Sequence, residues 1–180
     1  MRNGPLLKRY VIHILGINAV NPDAFDLSLE QTALISCTDR SNRFLASGSI
    51  ENSLIIPFMD VEDSSIPGSF NAAHARVIHR FLQELPECVT DLYVCCSKGG
   101  SRSAALAAAL LKASGRSDNA VWMNPFYVPN KLVYSVMCRE LGIVMPGMFV
   151  RWKSFTNERQ FKKAKRRGNA GKYERWQIMP

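Results

Sequence analysis

The segment "LYVCCSKGGSRSAALAAALLK", Leu92–Lys112, decides how the rest of the chain is read. Apolar and aromatic residues lead into a cysteine pair, a six-residue turn with two glycines and an arginine follows, and an Ala/Leu run closes the segment. These patterns predict a buried strand, a tight turn and a helix beginning near Arg102. The turn then lies at a helix N-terminus, where unpaired N–H groups and the positive dipole end favour an anion. Gly99 and Gly100 let successive amides point inward as a nest suited to an oxyanion such as phosphate. Cys96, at the mouth of the turn, is the expected nucleophile, because the field that attracts phosphate also favours a thiolate. Arg102 can return its planar guanidinium to grip two phosphate oxygens. Ser103 adds a hydroxyl near the sulfur, suited to stabilising the thiolate as it departs. The expected anion-binding residues are Ser97, Lys98, Gly99, Gly100, Ser101 and Arg102, with Lys98 at the solvent rim. Cys95 faces the opposite way from Cys96 if the strand persists, and belongs to the core.

Outward from this segment, "YVIHIL" (10–15), "ALISC" (33–37), "SLIIPF" (53–58) and "AVWM" (120–123) read as further short strands. In "SFNAAHARVIHRFLQELP", Ala75, Ile78, Phe81, Leu82 and Leu85 share one helical face; Ser69 or Asn71 can cap the start and Pro86 stops it. Gly115 suits the left-handed position after the Ser103–Ser114 run, and "PNKLVYSVMCRELG" (129–142) opens on Pro and closes on Gly. Strands alternating with helices imply an α/β fold: a central, mostly parallel sheet flanked by helices, with the phosphate loop between a central strand and its helix.

The 180 residues are enough for one domain with a full core, expected over 1–150. The net charge of +8 is not spread evenly: residues 1–150 carry 13 basic and 13 acidic side chains, whereas 151–180 carry 10 and 2. The second stretch is expected to be a basic C-terminal extension: a docked helix of about ten residues and a mobile end. Its partner could be nucleic acid, a membrane surface or an acidic protein. Five scattered cysteines fit a reduced, cytoplasmic protein better than a disulfide scaffold. No apolar run approaches the roughly 18–20 residues of a spanning helix. The histidines and cysteines have no zinc-like spacing, so no metal and no other cofactor are expected.

A bare Cys-x5-Arg is a weak signal, expected by chance in roughly one chain in three or four of this kind. The preceding strand, Gly99 three places after Cys96, Ser103 after Arg102 and the following helix lower that rate to roughly one in a thousand. With that context, "VCCSKGGSRSA" resembles the signature loop of the cysteine-dependent protein tyrosine phosphatases, and is closest to their compact dual-specificity branch. The resemblance extends from about Ala33 to Gly142 and is similar to small bacterial and phage-type members. One departure stands at position 95, where members commonly carry His and this chain has Cys95.

The resemblance implies a phosphocysteine mechanism acting on a phosphorylated substrate, a phosphotyrosine or phosphoprotein in the first instance. It also implies a general acid, an Asp about 30 residues before the nucleophile. Asp60, in "IIPFMDVEDSS" 36 positions before Cys96, is the first choice, with Asp63 and then Glu62 behind it. The "EDSSIPGS" stretch has the composition of a loop that closes over substrate. An ionised Cys96 acting with a protonated Asp60 predicts a pH optimum below neutrality. The alternatives are an RNA 5′-phosphate or phosphoinositide phosphatase, a rhodanese-like or arsenate reductase-like enzyme, and an inactive phosphate-binding module.

Overall fold

The computed structural model describes residues 7, 10–17, 29–38, 51–166 and 178–179. Four parallel strands form the sheet: β1 (Val11–Gly16), β2 (Thr32–Ser36), β3 (Asn52–Ile55) and β4 (Asp91–Cys96). They lie in the order β3-β2-β4-β1, and a two-residue strand, β5 (Ile178–Met179), adds antiparallel to β1. The fold is α/β, with β4 between β2 and β1.

Among the described residues, five α-helices follow the early strands: α1 (Ala72–Glu84), α2 (Arg102–Ala113), α3 (Asn119–Trp122), α4 (Lys131–Glu140) and α5 (Gly147–Arg166). Strand alternation sends Ile12, Ile14, Ala33, Ile35, Leu92 and Val94 into one apolar core with the helices. Helix α2 lies against β1 and β4 and is covered by α3 and α4. Every residue from Ser103 to Leu111 is buried. A helix enclosed on all sides needs small side chains at the close approaches, which explains its alanines.

The α1 start combines two local interactions. Asn71 Oδ1 accepts the N–H groups of Ala73 and His74 (2.9 and 3.3 Å), while the Asn71 N–H donates to His74 Nδ1 (3.1 Å). This is a capping box with histidine in place of the usual Glu. Ala75, Ile78 and Leu82 are buried along one stripe, and Leu85 ends the helix before Pro86. Gly115 (φ 79°) and Gly142 (φ 76°) take the left-handed conformation after α2 and α4.

Two expectations need correction. Residues 120–123 form no strand: Asn119–Trp122 is the helical turn α3, with the Asp118 carbonyl accepting from the N–H groups of Val121 and Trp122. A short apolar run reads alike as strand or helical turn, and here Trp122 packs edge-on to Tyr134 of α4, at 5.2 Å between centroids. The division at 150/151 falls inside α5, which is 20 residues long. Its inward stripe of Val150, Lys153, Asn157 and Ala164 is buried. Lys153 Nζ pairs with Asp118 Oδ1 (3.0 Å), and the Tyr134 hydroxyl donates to Asp118 Oδ2 (2.6 Å). Burial, helped by that carboxylate, pushes the Tyr134 hydroxyl well above the ordinary phenol range. Helix α5 is therefore part of the folded body, and its excess charge lies on the outward side. The end expected to be mobile lies, from 167 on, outside the described residues except for β5. Among the described residues no helix is long and apolar enough to cross a membrane.

Candidate active site

Strand β4 ends at Cys96 and α2 begins at Arg102, so the turn sits at the carboxyl edge of a central strand, where open α/β sheets form ligand crevices. Cys96 is 2% exposed. Its Sγ accepts the Gly99 N–H at 3.2 Å and lies 3.2 Å from the Ser103 hydroxyl. Among the described residues, the N–H groups of Ser97, Lys98, Gly100, Ser101 and Arg102 have no protein acceptor. The carbonyls are used instead: Gly100 O accepts from Val128 N–H (2.8 Å) and Ser101 O from Ala105 N–H (2.9 Å). A loop that spends carbonyls on the fold while leaving five donors at a helix start has the donors to receive an anion.

The curl depends on two glycines, Gly99 in the loop itself and Gly16 at the end of β1. Gly99 has φ 74°, and a Cβ there would lie 2.7 Å from Gly16 N and 2.8 Å from Leu15 C. A Cβ on Gly16 would meet Lys98 C and O, each at 2.7 Å. The end of β1 thus packs directly on the loop backbone, a role for Gly16 that its place in "HILG" does not reveal.

Arg102 turns back across the sheet edge. Its Nη1 donates to Cys37 O (2.7 Å) and Phe58 O (2.8 Å), and its Nη2 donates to Ser97 Oγ (3.1 Å). The three acceptors lie just beyond β2, β3 and β4, so the segments that follow three strands fix one guanidinium. Its Nε is buried with no partner, 4.0 Å from Asp60 Oδ2. An unsatisfied buried donor on a cation is costly, and a bound anion would relieve it.

Of the three acid candidates, Asp60 alone lines the cavity. Its Oδ1 accepts from Ser101 Oγ (2.7 Å) and Asn130 Nδ2 (3.0 Å). Asp63 is turned into a local bend, where Oδ1 accepts from the Ser65 N–H and hydroxyl; the hydroxyl bond most of all, then the N–H bond, holds its carboxyl below the usual range. Glu62 pairs with Lys131 Nζ (2.7 Å) and accepts the Lys131 N–H (2.9 Å). The stretch expected to close as a lid is a series of turns tied at its ends, with Met59 N–H on Gly68 O (2.8 Å) and Ser69 Oγ on Ser64 O (3.3 Å).

The sequence pattern opens α4 on Pro129 and gives no part to Asn130. Asn130 is buried, its Oδ1 caps α4 at the Val133 N–H (3.1 Å), and its Nδ2 also donates to Val61 O (3.1 Å). One side chain thus joins the Asp60 loop to the start of α4. Phe126 and Val128 complete the apolar wall of a cavity of about 410 Å³ otherwise lined by Asp60, Lys98 and the loop. Their strap is held from outside by Asn157 of α5, whose Nδ2 donates to the carbonyls of Trp122 (2.9 Å), Asn124 (3.3 Å) and Tyr127 (2.9 Å).

Lys98 is exposed at the rim, and Cys95 is buried on the sheet face opposite Cys96. None of the five cysteines forms a disulfide. Burial pushes the Cys37 thiol well up, and its neighbours Cys96 and Cys95 add to the effect against Arg102. No group of three His, Cys, Asp or Glu side chains that could hold a metal ion occurs among the described residues. Fold and cavity together define an α/β protein with a thiol-floored, donor-rich cavity at the carboxyl edge of a parallel sheet. The chain matches no family model, and no curated protein matches it either.

Proposed function

We propose that the protein is a phosphomonoester hydrolase of the cysteine-dependent type, working through a phosphocysteine. The observation that carries this reading is Cys96 Sγ, held by the Gly99 N–H inside a loop whose remaining amides have no protein acceptor. A phosphate monoester binds with its oxygens on those amides and on Arg102 Nε. The Cys96 thiolate attacks phosphorus as the bond to the ester oxygen breaks, and the Asp60 carboxyl gives that oxygen its proton. Water then attacks the phosphocysteine. Asp60 takes the water's proton, inorganic phosphate leaves, and the Ser103 hydroxyl stabilises the released thiolate. Fixed donors around the equatorial oxygens supply stabilisation where charge spreads in transfer.

Phe126 and Val128 give the cavity an apolar wall that suits the ring of an aryl phosphate, which favours phosphotyrosine within phosphoprotein substrates. The test is hydrolysis of para-nitrophenyl phosphate by wild type and by Cys96→Ser. Wild type should turn over, and the variant should lose at least about 10⁴-fold in kcat while still binding vanadate. Acid-quenched wild type incubated with labelled substrate should carry phosphate on Cys96. Equal rates for the two proteins, or vanadate binding without any turnover by wild type, would reject the enzyme and leave a phosphate-binding module. Faster turnover of arsenate or thiosulfate would move the protein to sulfur or arsenic chemistry.

A further inference from the structure

Helix α5 carries a surface that the cavity chemistry does not use. With its inward stripe docked, the opposite side presents Met148, Trp152 and Phe155 and then Arg159, Lys162 and Arg166, at helical spacings of three and four that keep them on one line. Val144, in the non-helical segment just before the helix, is exposed as well. Val144, Met148, Trp152 and Phe155 are 92, 82, 58 and 59% exposed. Seven Lys or Arg and one Glu lie between Gly147 and Arg166, and of the seven cations only Lys153 is buried. So the outward line is apolar over its first half and cationic over its second, each half about 10 Å long at helical rise. Contiguous exposed apolar surface next to unpaired cations marks an interaction site.

We propose that this face of α5 docks on an anionic phospholipid bilayer. Charge complementarity selects a polyanion, and the apolar half selects lipid over nucleic acid. A single-stranded nucleic acid is held by aromatic rings on which bases stack beside phosphate-binding cations. Here the two most exposed apolar side chains, Val144 and Met148, are aliphatic and have no face to stack on. A bilayer offers both layers in the required order, with hydrocarbon just beneath a shell of phosphates. Trp and Phe sit well at that boundary, and Lys and Arg sit on the headgroups. Phe155, with Arg159 stacked over its ring at 5.7 Å, is where the two halves meet. The docking does not depend on the catalytic reading.

The full chain is sedimented with large vesicles of phosphatidylcholine alone and of phosphatidylcholine with about one third phosphatidylserine, at about 0.1 M salt. Binding is expected to the second vesicle and not the first, and to weaken as salt is raised. The paired variants Trp152→Ser/Phe155→Ser and Lys162→Glu/Arg166→Glu should each bind about tenfold more weakly or worse, with thermal unfolding as the check that they remain folded. Cys96→Ser should bind vesicles as wild type does, so loss of docking and loss of hydrolysis are separate results. No binding to the anionic vesicle overturns the proposal. Binding indifferent to the Trp152/Phe155 pair overturns it as well, since charge alone would then suffice. Tighter binding of an oligouridylate, or concentration-dependent dimerisation abolished by the apolar pair, assigns the face to nucleic acid or to a second copy instead.

Discussion

The floor and the acid wall of the cavity are built by opposite means. The floor is eight consecutive residues, Cys96 to Ser103, shaped by a strand end, two glycines and a helix start. The acid wall is assembled from segments far apart in sequence: Ser101 lies 41 residues from Asp60 and Asn130 lies 70 from it. A floor made of contiguous backbone takes its course from β4 and α2, with the close packing of Gly16 to hold its curl. A wall made of side-chain bonds between separate loops depends on several elements being in register at once. Damage to the floor should therefore remove chemistry outright, whereas damage to the wall should reduce it by degrees.

The largest effect that sharpens this contrast is at Arg102. The segments just beyond three strands fix its guanidinium through Cys37 O, Phe58 O and Ser97 Oγ, and a lysine cannot make that fork. Arg102→Lys should lower kcat by about 10³-fold with the fold retained, measured by aryl phosphate turnover and thermal unfolding. A loss of only a few-fold would mean that the loop amides alone carry the transferring group. Gly16→Ala tests the same floor from the neighbouring strand. Its Cβ would stand 2.7 Å from Lys98 backbone atoms, so the loop must open, and vanadate affinity should fall although Gly16 touches no ligand itself.

Asp60 comes next. Asp60→Asn keeps the carbonyl that accepts from Ser101 and Asn130 but supplies no acid, so kcat should fall by about 10²-fold. The fall should be larger for an alkyl phosphate, whose leaving oxygen needs the proton more, than for para-nitrophenyl phosphate. Asp63→Asn should leave the rate within about twofold, because Asp63 is engaged with Ser65. If the two variants exchanged these behaviours, the acid wall would have to be rebuilt around Asp63.

That division also governs what could be read from the chain beforehand. Strand β4, the loop and α2 announce themselves because every cue for them is local: apolar run, paired glycines, Ala/Leu periodicity. The start of α1, with its cap at Ser69 or Asn71, and its stop at Pro86 were legible for the same reason. Gly16, the Cys37 and Phe58 carbonyls, and Phe126 in the cavity wall were not, since each acts only through neighbours that the sheet order brings to it. The length of α5 was hidden differently. Its inward stripe includes Lys153 and Asn157, polar residues that read as solvent-facing until Asp118 and the carbonyls of 122–127 are known to meet them. The opening of α4 was legible at Pro129, but neither the cap by Asn130 nor its bond to Asp60 was.

Asn130 should give a graded effect, as a wall residue must. Asn130→Ala removes both the α4 cap and the amide that holds Asp60, so stability should drop by about 1 kcal/mol and kcat by about tenfold. Asn130→Ser restores a cap without an amide that reaches Asp60. If stability recovers in the serine variant while kcat does not, Asn130 is a positioning residue for the acid. If both recover together, its role is only structural.

The smallest effect lies at the far anchor of the Asp60 loop, where His74 completes the α1 cap by accepting the Asn71 N–H. Burial against Phe58 and Phe70 lowers the His74 pKa from its usual 6.5. Its folded value is thus below its unfolded value, so the unfolded chain binds more protons as the medium becomes acidic. The stabilisation is complete above about pH 6.5 and is lost as pH falls through the lowered folded value. Protonation also removes the lone pair that accepts the Asn71 N–H, so the cap opens as the charge appears. The penalty should stay below the roughly 1 kcal/mol that a cap is worth. It would be seen as a Tm that declines between pH 7 and 5 in wild type and declines less in His74→Gln. Because this anchor holds the loop bearing Asp60 and makes no contact with the Cys96 turn, vanadate affinity measured at one fixed pH should be the same in both proteins. A change in affinity would mean that floor and wall are coupled more tightly than their separate construction implies.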